Sequence, residues 1–313
     1  MDNGYKENLK RQQYGFAGEH TAVKICTWAK KSLKDEGVCY KQAFYGIRSH
    51  LCCQMSPSVG YCQNRCIFCW RELDQTYGLE MGGEVDDPDT IIDGCIREQQ
   101  TLLSGFGGND KVIADKLDEA QEPMHFAISL TGEPTIYPKL NELIRKLHDR
   151  GKTTFVVSNG QLPEQIKDIE PPTQLYLSVD APNKKLFKKI DNPVYDDGWE
   201  RLNQSLEHLG ELKGKTRTTL RLTLIKGMNM EDPEGWARLI KKADPLFVEV
   251  KAYMFVGSSR LRLSIENMPR HHEVRAFADE ICRLSGYNAI DEKEESRVVL
   301  LMKEDFDGRI MRF

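Results

Sequence analysis

Tyr61-Cys62-Gln63-Asn64-Arg65-Cys66-Ile67-Phe68-Cys69-Trp70 places three cysteines on one short loop, spaced C-x3-C-x2-C. Three thiolates so close in sequence can each take one iron of a cubane cluster. A fourth cysteine in the run would complete the set, as in ferredoxins. None follows, so one iron is left open to an exogenous ligand. A zinc site asks for four closed ligands, usually from two paired knuckles, and no nearby Cys/His pair completes it. The loop is therefore read as the seat of a 4Fe-4S cluster with an open coordination position.

Working outward from it, three more cysteines lie upstream. Cys26, Cys39 and Cys52 are separated as C-x12-C-x12-C, which matches no common zinc or ferredoxin spacing. Residues 17–35 carry Ala22, Val23, Cys26, Ala29 and Leu33 at helical spacing, with Gly37 as a stop. This puts Cys26 on a helix, Cys39 just past it, and Cys52 beside the first strand. Two readings stay open. The three thiols converge as a second three-cysteine cluster site, or Cys26 packs on an apolar helix face while Cys52 or Cys53 is a small core residue. Cys95 and Cys282 fall inside amphipathic stretches and read as core.

Downstream, short apolar runs alternate with amphipathic ones. Strands are expected at Arg48–Cys52, His125–Leu130, Thr153–Ser158, Gln174–Val179, Thr218–Leu224 and Leu246–Lys251. Helices are expected at Asp87–Ser104, Pro138–Arg150, Leu162–Ile169, Asp197–Gly210 and Asp232–Ala243. A helix near His272–Leu284 and a strand at Arg297–Met302 follow. Alternating strands and helices imply an α/β fold with a parallel sheet and right-handed crossovers. Six units make a partial barrel, whose chemistry sits at the C-terminal strand ends. Those ends carry Thr131-Gly132-Glu133, Ser158-Asn159-Gly160, Asp180 and Lys251. Glu133 can instead cap a helix near Pro134–Pro138, though its place at a strand end favours a ligand role, and Asn159-Gly160 can be a plain turn.

The 313 residues, 40% hydrophobic and 29% charged, suit a soluble globular protein. The N-terminus reads as no signal peptide, and no apolar run approaches the roughly 20 residues that span a bilayer. A cytoplasmic location is expected, where thiols stay reduced and nine cysteines read as metal ligands. The net charge of −4 argues mildly against a nucleic-acid partner. Four basic clusters nonetheless leave room for a phosphate-binding surface: Lys30/Lys31/Lys34, Lys184/Lys185/Lys188/Lys189, Lys213/Lys215/Arg217 and Arg260/Arg262.

The cysteine triad resembles the signature loop of the radical S-adenosylmethionine (SAM) superfamily, and LTGEPT (130–135) resembles that family's Gly-Gly-Glu-type turn, with Thr131 in place of the first glycine. The resemblance implies a partial (β/α)6 radical SAM barrel, here with an N-terminal cluster-binding extension. It implies that the open iron chelates SAM, that Phe68 lies beside the adenine, and that Thr131-Gly132-Glu133 holds the SAM ammonium. Ser158 and Asn159 would take the SAM carboxylate or ribose, with Asp180 a further polar candidate.

Within the superfamily, the chain is similar to the archaeal 4-demethylwyosine synthases. The likeness rests on the six cysteines, on Trp70-Arg71, and on SLTGEPTIYP (129–138), VVSNG (156–160) and LYLSVDAP (175–182). It implies two 4Fe-4S clusters and SAM as cofactors. The implied substrates are tRNA(Phe) bearing N1-methylguanosine at position 37, and pyruvate. The product is the tricyclic base 4-demethylwyosine, a lyase-type reaction of wybutosine biosynthesis. Eukaryotic relatives carry an added flavodoxin-like domain, so an external electron donor is implied, and a monomer is expected. Residues 1–50 are read as the helical extension carrying second-cluster ligands, and 51–313 as the barrel, one compact domain overall. A lysine can capture a ketone as a Schiff base if burial or nearby charge lowers its pKa. Lys41, two residues after Cys39, is the first candidate, and Lys251 the second. Pyruvate can instead chelate an iron of the second cluster, and both routes stay open. Competing readings are another radical SAM RNA-modifying enzyme and a two-cluster electron-transfer protein. An RNA methylase of the two-cysteine type would need a catalytic Cys near the C-terminus, where only Cys282 lies, and a carrier needs no SAM-type turns.

Overall fold

Short runs of β-branched and aromatic residues set the strands. The computed structural model describes residues 3–313. Its strands are β1 (Gly15–Phe16), β2 (Ala22–Lys24), β3 (Cys52–Ser56), β4 (His125–Ile128), β5 (Thr153–Ser158), β6 (Gln174–Val179), β7 (Arg217–Leu224), β8 (Phe247–Ala252), β9 (Asn288–Lys293) and β10 (Val298–Met302). The chain divides into two compact units. The first comprises residues up to Cys62, with Gln75–Val156 and Gly308–Phe313. The second comprises Gln63–Asp74 and Val157–Asp307.

In the first unit, β1 pairs antiparallel with β2, and β2 with β3 (Val23 opposite Met55). β3, β4 and β5 then run parallel, with Cys52 opposite His125 and His125 opposite Thr153. Crossover helices make the parallel order possible. Pro88–Leu103 starts at Asp87, whose carboxylate accepts from the Asp89 N–H at 3.0 Å, and buries Ile91, Ile92, Cys95 and Leu103. Leu140–Asp149 buries Leu140, Leu143, Ile144 and Leu147, the i, i+3, i+4, i+7 pattern of a helix lying on a sheet. Each such side chain contributes roughly 1.5–3 kcal/mol when fully buried.

In the second unit, β6, β7 and β8 run parallel, with Leu220 opposite both Leu177 and Val248. β10 adds antiparallel to β8, and β9 to β10 with a bulge between Leu300 and Leu301. All five residues of β10 are buried, which explains its continuous apolar run Val-Val-Leu-Leu-Met. β1 is an edge strand of the first unit's sheet and β9 of the second's, each with one strand partner, and both units carry mixed α/β sheets. Among the described residues, no helix is long and apolar enough to cross a membrane.

Two local expectations need correction. The helix expected over residues 17–35 is instead β2 followed by a short helix, Thr27–Ser32. Pairing of Ala22-Val23-Lys24 with β1 and β3 overrides its helical spacing. The first parallel strand starts at Cys52, because Ser49–Leu51 forms a 3-10 turn. The helix Lys184–Ile190 and strand β9 were not anticipated.

Candidate functional site

The first unit gathers Cys26, Cys39, Cys52 and Lys41. Cys26 is the N-cap of the helix Thr27–Ser32, and its Sγ accepts from the Ala29 N–H at 3.3 Å. Cys39 is the N-cap of the helix Tyr40–Tyr45, with its N–H held by Ser49 Oγ at 3.0 Å. Cys52 opens β3. Burial pushes the Cys52 thiol up, Cys26 and Cys39 push it further, and Lys41 pulls it back. Burial also raises Cys26, against Ala29, Trp28 and Lys41. The three thiols and the lysine thus lie within electrostatic reach of one another. Lys41 Nζ sits 5.4 Å from the centre of the Phe155 ring. Its helix is anchored by buried Tyr40, Phe44 and Tyr45 and ends at Gly46, φ +80°.

No disulfide joins any of the nine cysteines. The six read as ligands are half-buried, whereas Cys53 and Cys95 are fully buried. Among the described residues, no three His, Cys, Asp or Glu side chains converge tightly enough for a single metal ion. One zinc needs all its sulfurs within about 2.3 Å of one point. A cubane makes a wider demand, since each thiolate takes a different iron. The donor set of soft, half-buried thiols therefore fits an iron–sulfur cluster.

Also in the first unit, Thr131-Gly132-Glu133 follows β4 and packs on residues 58–61, the approach to Cys62. Glu133 N–H donates to Tyr61 O at 2.8 Å, and Ser56 Oγ donates to Thr131 O. Gly132 has φ +73°, and a Cβ there would lie 2.1 Å from Ser58 O. Only glycine allows so close an approach. Glu133 Oε1 accepts from Thr135 N–H at 3.1 Å and Oγ1 at 2.7 Å, so Glu133 caps the turn Pro134–Ile136. The buried Thr131 Oγ1 has no hydrogen-bond partner in the chain.

In the second unit, the segment 63–71 is held on several sides. Arg65 N–H donates to Asp191 O and Asn192 O at 3.1 Å, and Ile67 N–H to Ile190 O at 2.9 Å. Arg262 Nε donates to Ile67 O at 3.0 Å and its Nη2 to Cys69 O. Phe68 is half-buried on the same segment. Cys66 Sγ lies 3.6 Å from Asp191 Oδ1. Asp191 in turn meets Asp180. Burial pushes Asp180 up to about 6, although Thr223 and Arg221 pull it down, and burial and then Asp180 drive Asp191 well above the carboxylate range. Burial and mutual repulsion thus favour a proton on this pair over two full negative charges. Asp180 therefore stands behind Cys66, with its Oδ1 accepting from Thr223 N–H at 3.2 Å. Gln63 Nε2 and Asn64 Oδ1 are buried without partners in the chain, as polar atoms awaiting a bound group would be.

Ser158 and Asn159 close their own turn. Ser158 Oγ accepts from Gly160 N–H and Asn159 Oδ1 from Gln161 N–H, both at 3.0 Å, while Asn159 Nδ2 reaches Gln63 at 3.4 Å. Lys251 Nζ donates to Ser296 O at 2.6 Å. Asp191 escaped the sequence reading, and Arg262 was singled out only as part of a basic cluster; no local motif marks the contact that either makes with segment 63–71.

The family model for the Radical SAM superfamily matches residues 56–240, and that for Wyosine base formation matches 242–303. An S-adenosyl-L-methionine-dependent tRNA 4-demethylwyosine synthase of Pyrococcus abyssi is 49% identical over 96% of this chain and 88% of its own length. The one from Methanocaldococcus jannaschii is 42% identical over 95% of each. The solved structure "TYW1 with a lysine-pyruvate adduct bound" superposes with a TM-score of 0.89, at 38% identity, over 99% of both chains.

Proposed function

Because the chain belongs to the tRNA 4-demethylwyosine synthase family of radical SAM enzymes, we propose that it condenses N1-methylguanosine at position 37 of tRNA(Phe) with pyruvate to form 4-demethylwyosine. The family implies a 4Fe-4S cluster and SAM, which together supply the hydrogen-abstracting radical when bound. The observation that carries the finer reading is Lys41 within electrostatic reach of Cys26 and Cys52. A lysine–pyruvate adduct in the similar solved structure supports it.

Cys62, Cys66 and Cys69 hold the SAM cluster. Thr131, Gly132 and Glu133 bind the SAM amino group, with the partnerless Thr131 Oγ1 available to it. Phe68 lies against the adenine, and Ser158 and Asn159 meet the carboxylate or ribose. Asp180 acts through Asp191 to position Cys66. Lys41 takes pyruvate: its amine adds to the keto carbon and water leaves, which forms an imine. Lys251 is the weaker candidate, since Ser296 O already accepts from its amine. Anaerobically reconstituted protein given SAM, a reductant, pyruvate and tRNA carrying N1-methylguanosine is expected to yield the tricyclic base. SAM cleavage without that base under these conditions would assign the chain another RNA chemistry.

Cys26, Cys39 and Cys52 hold a second 4Fe-4S cluster. Their triple Ala variant is expected to retain about half the parent's iron if each cubane is held by three thiolates. Equal iron in both proteins would leave one cluster only.

Lys184, Lys185, Lys188 and Lys189 line the exposed face of the helix Lys184–Ile190, and we assign them to tRNA phosphates. Their fourfold Ala variant should flatten the log–log salt dependence of tRNA binding, by about 0.7–0.9 for each phosphate no longer neutralised. An unchanged slope would return them to solvated surface.

A further inference from the structure

We propose that Arg260-Leu261 is a wedge that inserts into the single-stranded loop of the RNA substrate beside the Cys66–Cys69 segment, an inference that rests on the RNA reading above. The loop after β8 is fixed at its base. Tyr253 Oη and Ser259 Oγ lie 2.8 Å apart, and Ser259 Oγ donates to Val256 O at 2.6 Å. Ser258 N–H donates to Trp70 O at 2.9 Å. Gly257 has φ +58°, and a Cβ there would lie 2.5 Å from Trp70 O. With Arg262 on the carbonyls of Ile67 and Cys69, the loop is bonded onto the segment that carries two cluster thiols.

Its tip is nevertheless apolar and open. Leu261 is 85% exposed. Of ten exposed large hydrophobic residues among those described, five are Met254, Val256, Leu261 and Ile265 on this loop and Trp70 beneath it. Single exposed apolar residues are ordinary, whereas a cluster on a rigid support marks a contact surface. Arg260, exposed beside Leu261, has its guanidinium 5.2 Å from the Phe255 ring centre. Across the same segment lies the basic helix Lys184–Ile190, whose last carbonyl accepts from Ile67 N–H. The segment that holds Cys66 and Cys69 is therefore bonded both to the end of a basic helix and to Arg262 of this loop within this unit.

A ligand with a phosphate backbone and splayed bases fits that arrangement. Cations take the phosphates, while an aliphatic wedge and an indole face take unstacked bases. Chemistry on one base requires it to leave its stack, and an apolar side chain can occupy the place it vacates. An acidic electron-donor protein would also be drawn to the cations, and the test below separates it from RNA by its effect on reduction rather than on RNA binding.

The test uses reconstituted enzyme and an anticodon stem-loop with 2-aminopurine next to the target guanine. Parent protein should bind and raise the fluorescence. Leu261→Ala should lose that rise and weaken binding on the order of tenfold, the scale of losing the burial of one leucine side chain. Leu261→Trp should bind at least as tightly as the parent. Arg260→Ala should keep the rise but lower the salt slope by about 0.7–0.9. Iron content and thermal midpoint identify any misfolded variant, and Leu261→Trp and Arg260→Ala then carry the test. Parent-like affinity and fluorescence in Leu261→Ala would overturn the wedge. Parent-like RNA binding with slower reduction by a reduced flavodoxin would also overturn it and give the face to the electron donor. If the parent itself binds no tRNA, the RNA reading fails first.

Discussion

Cys66→Ala is expected to release 5′-deoxyadenosine from SAM only at background rate, because a cubane with an open iron held by Cys62, Cys66 and Cys69 needs all three thiolates. The effect is larger than that of one ligand bond, since two thiolates cannot keep three irons while leaving one open for SAM. Asp191 Oδ1, 3.6 Å from Cys66 Sγ, is also left without its neighbour. The measurement is anaerobic reconstitution, reduction by dithionite, and quantification of deoxyadenosine beside iron per chain. Cys282→Ala is the comparison. That residue is half-buried on the helix His271–Ser285, and its replacement should leave iron and cleavage at parent levels. Cleavage at the parent rate by Cys66→Ala would remove the loop from SAM chemistry.

Lys41→Ala is expected to lose the tricyclic product to background while deoxyadenosine release persists, because in the proposed function the lysine takes pyruvate and not SAM. Borohydride quenching of the parent with pyruvate should leave a reduced pyruvate adduct on Lys41, found by peptide mass mapping. Lys41→Arg separates the two ways the lysine can act. Arginine keeps the positive charge that would hold the carboxylate, but it forms no imine. Restored product in Lys41→Arg would make the lysine an anchor only. An adduct on Lys251 would transfer the role to β8. Full product from Lys41→Ala would favour chelation of pyruvate by the second cluster.

Much of the site could be read locally because its parts are local. The triad spans eight residues, from Cys62 to Cys69, and the turn at Gly132 follows directly from the end of β4. Periodicity located β4 to β8 and β10 to within a few residues, as each is a short apolar or alternating run set between helical stretches. It failed over residues 17–35. There a three-residue strand, β2, owes its existence to β1 and β3 rather than to its own preferences. Two side-chain roles were left undecided between neighbours and ligands. The structure shows Glu133 capping its turn and Asn159 closing its own, local bonds that compete for the same polar atoms.

The sequence by itself determined the chemistry available: the three-cysteine loop, a second set of three thiols, a lysine two residues past one of them, and an alternating α/β order. These are statements about residue type and short spacing, which backbone geometry alone translates into structure. Only the tertiary structure decided which thiols feel one another's charge, since Cys26, Cys39 and Cys52 are separated by twelve residues each and come within electrostatic reach through two helix caps and a strand start. It also placed Asp191 against Cys66, 125 residues away, and Arg262 on Cys69, 193 residues away. Partners at that separation are chosen by how whole faces of helices and sheets bury one another, and no window of sequence contains that information.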